Sequence, residues 1–239
     1  MRTLAEGVHC LGGRAGGRVR AFLLEAGGEL TLVDTLFGDD AADVLAAIRR
    51  LGKSPRDLKR IALTHAHRSH LGGLAALKRE TGATVVAHEW EADIVAGQRR
   101  AQSVGLKPTR PFRTYPFQVG IFLGRPKHRP CPIDESLSEG DTVGPVQALH
   151  IPGHSPGHLG FHWPERGFVI AGDAIATWPR LEAGWPAFNI NPEQHRESVR
   201  RLASLEGRIV SGRGSARVFG CGGTGRRVVG PGWCFRVSG

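Results

Sequence analysis

The stretch LTHAHRSHLGG, Leu63 to Gly73, constrains this chain more than any other. It follows KRIALTH (59–65), a short apolar run that reads as a buried strand, and it opens HLGGLAALKRETG (70–82), which reads as a helix. On an extended segment, residues two apart point the same way, so His65 and His67 present their rings to one side. His70 begins the helix and can swing toward the same point. Neutral imidazole is the commonest metal ligand, and zinc typically takes three protein ligands and a water. A lone HxH carries little information, whereas HxHxxH between a strand and a Gly-Gly helix start predicts a metal site.

The surrounding pattern alternates strands and helices. VRAFLLEA (19–26) and ELTLVDT (29–35) are apolar strands joined through Gly27-Gly28, a hairpin signal. DDAADVLAAIRRLG (39–52) has helical spacing with Asp39 or Asp40 as its cap, TVVAH (84–88) reads as a strand and EWEADIVAGQRR (89–100) as a helix. Residues 101–136 are rich in Pro and Arg without periodicity and read as a lid or insertion. Regular patterning resumes in DTVGPVQALHIPG (141–153) and GHLGFHWPERGFVIAGD (157–173), then in a helix over 191–205 with Asn191 as N-cap and Pro192 at its first position. Two blocks of strands, each followed by helices, predict two sheets between outer helices.

Charge and cysteine usage narrow the function. The net charge of +10 invites a nucleic-acid partner. Six of the 32 Lys and Arg residues lie in 208–239, however, and without them 26 bases face 22 acids. A second basic stretch, Arg99 to Arg129, has eight Lys/Arg and no acid but few aromatics and no nucleic-acid motif. Both read as solvated surface, which argues against nucleic acid. Cys10, Cys131, Cys221 and Cys234 form no paired spacing, so neither a disulfide framework nor a cysteine metal site is indicated. There is no apolar run of membrane-spanning length, and the N-terminus lacks a signal-peptide core. The expectation is a soluble cytoplasmic protein with no membrane partner.

Four motifs, VDTLFG, THAHRSHLGG, HIPGHSPGH and VIAGDA, occur in the order and approximate spacing of the metallo-β-lactamase-fold hydrolases, and the chain resembles that superfamily over about residues 5–210. The superfamily includes β-lactamases, glyoxalase II-type thioesterases, lactonases and ribonuclease Z-type nucleases. The resemblance implies an α/β fold, a four-layer αββα sandwich over residues 1–210, with one or two zinc ions at the edge where the sheets meet. His65, His67 and His154 resemble the ligands of the first zinc. His70 resembles a ligand of the second, and Asp173 the carboxylate that borders both. Asp34 is similar to a buried strand-end Asp that supports the site without ligating. His150 and His158 read as buried hydrogen-bonded histidines.

Two positions depart from the family pattern. Ser69 stands where HxHxDH has its Asp, and Arg213 falls near the place of a later histidine. Both losses weaken the second metal site, and a serine hydroxyl is a poor zinc ligand. The expectation is therefore one Zn²⁺, with a metal-bound hydroxide attacking the carbonyl of an ester, thioester, lactone or lactam. His70 and Asp173 are the candidate catalytic residues orienting the attacking water. Arg110, Arg113 or Tyr115 in the lid is a candidate electrophile. Ser69 is expected to cap helix 70–82. The basic lid suits a small anionic substrate, and Trp178, Trp185 and Phe188 suit an apolar wall. The alternatives are a metal-binding member with weak or no turnover and an iron-dependent redox member. Residues 211–239, with no acid and much Gly and Arg, read as an atypical tail, disordered or frame-shifted.

Overall fold

The computed structural model describes residues 1–12, 18–101, 105–110, 112–123, 127–178, 181–205, 207–211, 218–221, 226–230 and 233–237. Beyond residue 205 only the side chains of 209–211 are described. Two sheets face one another. The first runs in the order β1 (Arg2–Ala5), β2 (Val8–Gly12), β3 (Arg20–Ala26), β4 (Glu29–Val33), β5 (Leu58–Ala62), β6 (Thr84–His88), β7 (Glu135–Leu137). Its first four strands form antiparallel hairpins, and β4 to β7 are parallel, as their helical crossovers require.

The second sheet contains β8 (Thr142–Val143), β9 (Val146–His150), β10 (Leu159–Trp163), β11 (Phe168–Ile170), β12 (Gly207–Val210), β13 (Val218–Cys221), β14 (Arg226–Gly230) and β15 (Trp233–Val237). They lie side by side as β14-β15-β13-β12-β11-β10-β9-β8. Strands β13 to β15 belong to the segment read as an atypical tail, and their backbone continues the sheet beyond β12.

Period-two patterning explains the layers. In β3, Phe22 and Leu24 face inward and pack with Phe161, Trp163, Phe168 and Ile170 of the opposite sheet. Ala21 and Leu23 face outward, under α1 (Ala42–Arg50), α3 (Leu74–Thr81) and α4 (Glu89–Val95). On the far side, α6 (Pro192–Ser204) sets Val199 and Leu202 against Val169 and Ile209. The result is the αββα sandwich that the motifs imply.

Several local expectations shift. Helix 39–52 is confined to α1, whose N-cap is Ala41 in the left-handed region (φ 57°), while the Asp40 side chain accepts from Ala42 N at 3.1 Å. The expected helix 70–82 divides into α2 (Arg68–Leu71) and α3, with Gly72 and Gly73 between. Ser69 is not a cap: it lies inside α2, whose N-cap position belongs to His67. Among its described residues the lid contains the α-helix α5 (Tyr115–Phe122), introduced by Pro116 in its first turn. Asn191 caps α6 as expected, accepting from Glu193 N and Gln194 N at 3.1 Å each.

Candidate metal centre

The parallel strands β4, β5 and β6 end along one edge of the first sheet, and the loops that leave them build one half of the site; the loops after β9 and β11 of the second sheet bring His154 and Asp173. The glycine pair of the HRSHLGG stretch lets two of these loops touch. A Cβ on Gly72 would stand 2.3 Å from the Phe37 carbonyl oxygen, so only glycine allows this approach. Gly72 N and Gly73 N donate to Leu36 O and Thr35 O across the same contact, at 2.9 and 3.3 Å. His67 is extended (φ −73°, ψ 140°) at the start of α2, which turns its ring back toward His65.

One donor atom each from His65, His67, His154 and Asp173 lies within 4.8 Å of the others, and all four residues are buried. His67 Nδ1 is 3.0 Å from both His65 Nε2 and His154 Nε2. Asp173 Oδ2 is 3.8 Å from His154 Nε2. Two nitrogens each about 2.0–2.1 Å from a shared tetrahedral zinc would lie roughly 3.3 Å apart, so the spacing fits such an ion. Burial, followed by the neighbouring histidines, holds the pKa of His65 well below the usual imidazole value. Burial and then His67 do the same for His154. Both rings are therefore neutral and able to ligate.

The hydrogen-bond pattern fixes which nitrogen faces the centre. Thr64 Oγ1 donates to Asp34, at 2.9 Å to Oδ2 and 3.1 Å to Oδ1. Its hydrogen is thereby committed, so at 3.0 Å from His65 Nδ1 it accepts. The proton of His65 is then on Nδ1, and the Nε2 lone pair points at His67 and His154. Asn189 Oδ1 stands 3.4 Å from His154 Nδ1 and selects the same tautomer there. Supports of this kind behind ligating imidazoles orient the ring and raise its basicity.

His70 is brought to the same edge in a different setting. Its Nδ1 is 2.7 Å from Asp34 Oδ2, and its Nε2 is 3.3 Å from Asp173 Oδ1. Burial pushes its pKa down, but Asp34 and then Asp173 outweigh burial and raise it to about 9. In the metal-free chain His70 is thus an imidazolium between two carboxylates, beside the four-donor cluster. His158 is not aimed at the centre: its Nε2 accepts from Asp173 N at 3.2 Å, and burial lowers its pKa to about 3. A Cβ on Gly172 (φ 53°) would meet that same Nε2 at 2.8 Å, so a glycine precedes Asp173. His150 bonds to Pro156 O at 2.8 Å. Arg213 lies outside the described residues.

The sequence reading missed Glu91. This carboxylate is 1% exposed and bonds Ala66 N, between the two histidines of HxH, at 3.0 Å. It also accepts from Ser155 Oγ and Gly157 N, which follow His154 in the other metal-bearing loop. Burial raises its pKa despite these bonds. Its signal in the sequence was faint: an acid in the first turn of a helix that follows a strand, which usually serves the helix dipole.

A buried His₃Asp cluster at the sheet edge of an αββα sandwich defines a metallo-hydrolase fold with a metal-binding site. Residues 14–214 match the metallo-beta-lactamase superfamily, and the chain belongs to it. It is 32% identical over 158 residues to the uncharacterised protein YobT of Bacillus subtilis, covering 66% of this chain and 62% of that one. It is 30% identical over 193 residues to a hydroxyacylglutathione hydrolase of Cereibacter sphaeroides, covering 77% of this chain and 57% of the relative. The chain thus spans about three fifths of the length of these curated relatives. Among solved structures it is similar to TTHA1623 in a di-iron-bound form, with TM-score 0.65, 30% identity and coverage of 87% and 93% of the two chains. Among the described residues, no helix is long and apolar enough to cross a membrane.

Proposed function

We propose that the protein is a zinc-dependent hydrolase of a small ester, thioester, lactone or lactam, working with one tightly held ion. The observation that carries this is the convergence of His65, His67 and His154 with Asp173 on one point, with the His65 ring neutral and its Nε2 held inward. His65, His67 and His154 would hold a zinc ion, which when bound would bring the pKa of a coordinated water down to about 7. Asp173, held by its own backbone N–H on His158, would accept a hydrogen bond from a water bound there and orient it. His70, fixed by Asp34, sets its Nε2 3.3 Å from Asp173 Oδ1, and the charge of its imidazolium favours that carboxylate on the centre side. Thr64 and Asn189 keep the ligand rings in the tautomers that leave their lone pairs inward.

A single ion is favoured because Ser69 supplies no carboxylate on the His70 side, leaving, among the described residues, His70 and a shared Asp173 for a second. The basic lid favours an anionic substrate, and a cytoplasmic location fits the sequence. One observation favours a second reading, a dinuclear iron protein: a relative at 30% identity was solved in a di-iron-bound form.

The test combines metal analysis with turnover. The purified protein is expected to carry zinc and to cleave members of a generic ester and lactone panel. His67→Ala should lose the zinc and at least about 10³-fold in kcat/KM, as expected when a zinc ligand and its activated water are removed. Bound zinc without turnover across the panel would establish a binding role instead, and bound iron the redox reading.

A further inference from the structure

Two half-buried histidines meet across the two sheets, outside the four-donor cluster. His88 ends β6 and His150 ends β9, and their rings stack with centroids 4.7 Å apart and planes 20° from parallel. His150 Nε2 donates to Pro156 O at 2.8 Å, and Arg201 donates to His150 O at 3.1 Å. The His150 ring is thereby pinned to the loop that carries His154.

His88 has a second task. It is the N-cap of α4, and its Nδ1 accepts from Trp90 N at 3.1 Å. An imidazole nitrogen that accepts carries no proton, so the capping ring is neutral with its hydrogen on Nε2. The residue after Trp90 is Glu91, which bonds Ala66 N, Ser155 Oγ and Gly157 N in the two metal-bearing loops. Gly157 packs against both side chains: a Cβ there would stand 2.9 Å from Glu91 Cγ and 3.1 Å from His88 Nδ1. The cap, the stack and the Glu91 bonds thus form one junction between the sheets.

We propose that His88 is a positioning residue for the metal centre. Its neutral ring fixes the start of α4, so that Glu91 holds the two metal-bearing loops at a set distance, and protonation of the ring loosens that hold. A proton on Nδ1 would face the Trp90 N–H, donor against donor, and the first turn of α4 would lose its cap. The same proton sets a cation against the His150 ring. The charged and titratable groups around His88 are Glu89 and Glu91 on its own helix, His150 on β9, and the Glu139–Arg201 pair behind His150. Burial and then His150 hold the His88 pKa below the usual imidazole value despite Glu89. The junction is therefore intact above about pH 6.5 and weakens as pH falls below it. The consequence for zinc rests on the reading of His65, His67 and His154 as its ligands.

Zinc affinity at about pH 7.5 and about pH 5.5, measured by chelator competition, tests this in three proteins. His88→Asn keeps a capping oxygen that does not titrate, and His88→Phe keeps a ring without an acceptor. Protonation of the ligating histidines weakens zinc in all three alike. His88→Asn should match wild type at the higher pH and bind about two- to thirty-fold tighter at the lower, the range that one cap spans. His88→Phe should be weaker than wild type at the higher pH by a similar factor and equal to it at the lower.

A second readout needs no metal. In NMR spectra of the metal-free wild-type chain, the Trp90 amide should titrate with a midpoint below pH 6.5. At about pH 5.5 the Ala66 amide should exchange faster in wild type than in His88→Asn. The proposal is overturned if His88→Asn loses zinc with the wild-type pH profile, or if the Trp90 amide does not move below pH 6.5. Absence of zinc binding in every protein would count against the metal centre, and the two amides would still decide the role of His88.

Discussion

Two buried carboxylates grip the HxH turn from opposite sides, and they hold different things. Asp34 bonds Thr64 N at 2.9 Å, and Glu91 bonds Ala66 N at 3.0 Å, so the backbone on either side of His65 is anchored twice. Asp34 continues to Thr64 Oγ1 and His70, the groups that set a ligand tautomer and face Asp173. Glu91 continues to Ser155 and Gly157, neutral groups of the loop that carries His154. Asp34 therefore controls the electrostatics of the centre, and Glu91 controls the distance between its two loops.

That division can be broken at either anchor. Asp34→Ala strands Thr64 N–H, its hydroxyl and the His70 Nδ1 proton, all buried. At about 1–3 kcal/mol for each unsatisfied group, the loss is at least about 3 kcal/mol. In a chain of this size that lowers Tm by roughly 6–12 °C, read by calorimetry, with metal affinity falling alongside. A wild-type Tm would refute the role given to Asp34.

Glu91→Gln should cost less, about 1–2 kcal/mol, because an amide oxygen still accepts one of the bonds. Its pH dependence separates it from Asp34. A carboxyl raised by burial keeps, when folded, a proton that the unfolded chain releases near 4.5. Its contribution to stability is therefore fully present below pH 4.5 and declines as pH rises through the folded value. The stability gap between wild type and Glu91→Gln should be widest below pH 4.5 and narrower at neutrality. A gap that widens with pH would show that ionised Glu91 is the favoured buried form.

The smallest effect sharpens the Asp34 side. Ser69→Asp adds a carboxylate near His70 and should raise affinity for a second zinc by about ten-fold or more, with little change at the first. Unchanged second-ion affinity in a zinc titration would place the limiting loss elsewhere, with Arg213 the next candidate.

The asymmetry between the two anchors also explains what the sequence could reveal. The sandwich was legible because β3 to β6 and β9 to β11 are apolar runs that the motifs punctuate, while the short β1, β2 and β7 left no such signal. Asp34 was legible only through the resemblance of VDTLFG to the family's strand-end Asp motif. Glu91 was not, because its partners are 25 and 64 residues away and only the folded chain brings them together. Ser69 was misread as a cap because serine favours that position. The helix starts earlier instead, since His67 must be extended there to turn its ring toward His65. The lid helix was hidden by Pro116 and by the absence of an amphipathic stripe, its exposed and packed faces both being apolar.

The central claim is one zinc held by His65, His67 and His154, with Asp173 beside it to orient a bound water, and native mass spectrometry under graded zinc tests it most directly. The account predicts a single ion at low zinc, lost in His154→Ala, with a second adding only in excess. Two ions binding with equal affinity to the wild-type chain, or full zinc occupancy in His154→Ala, would contradict it.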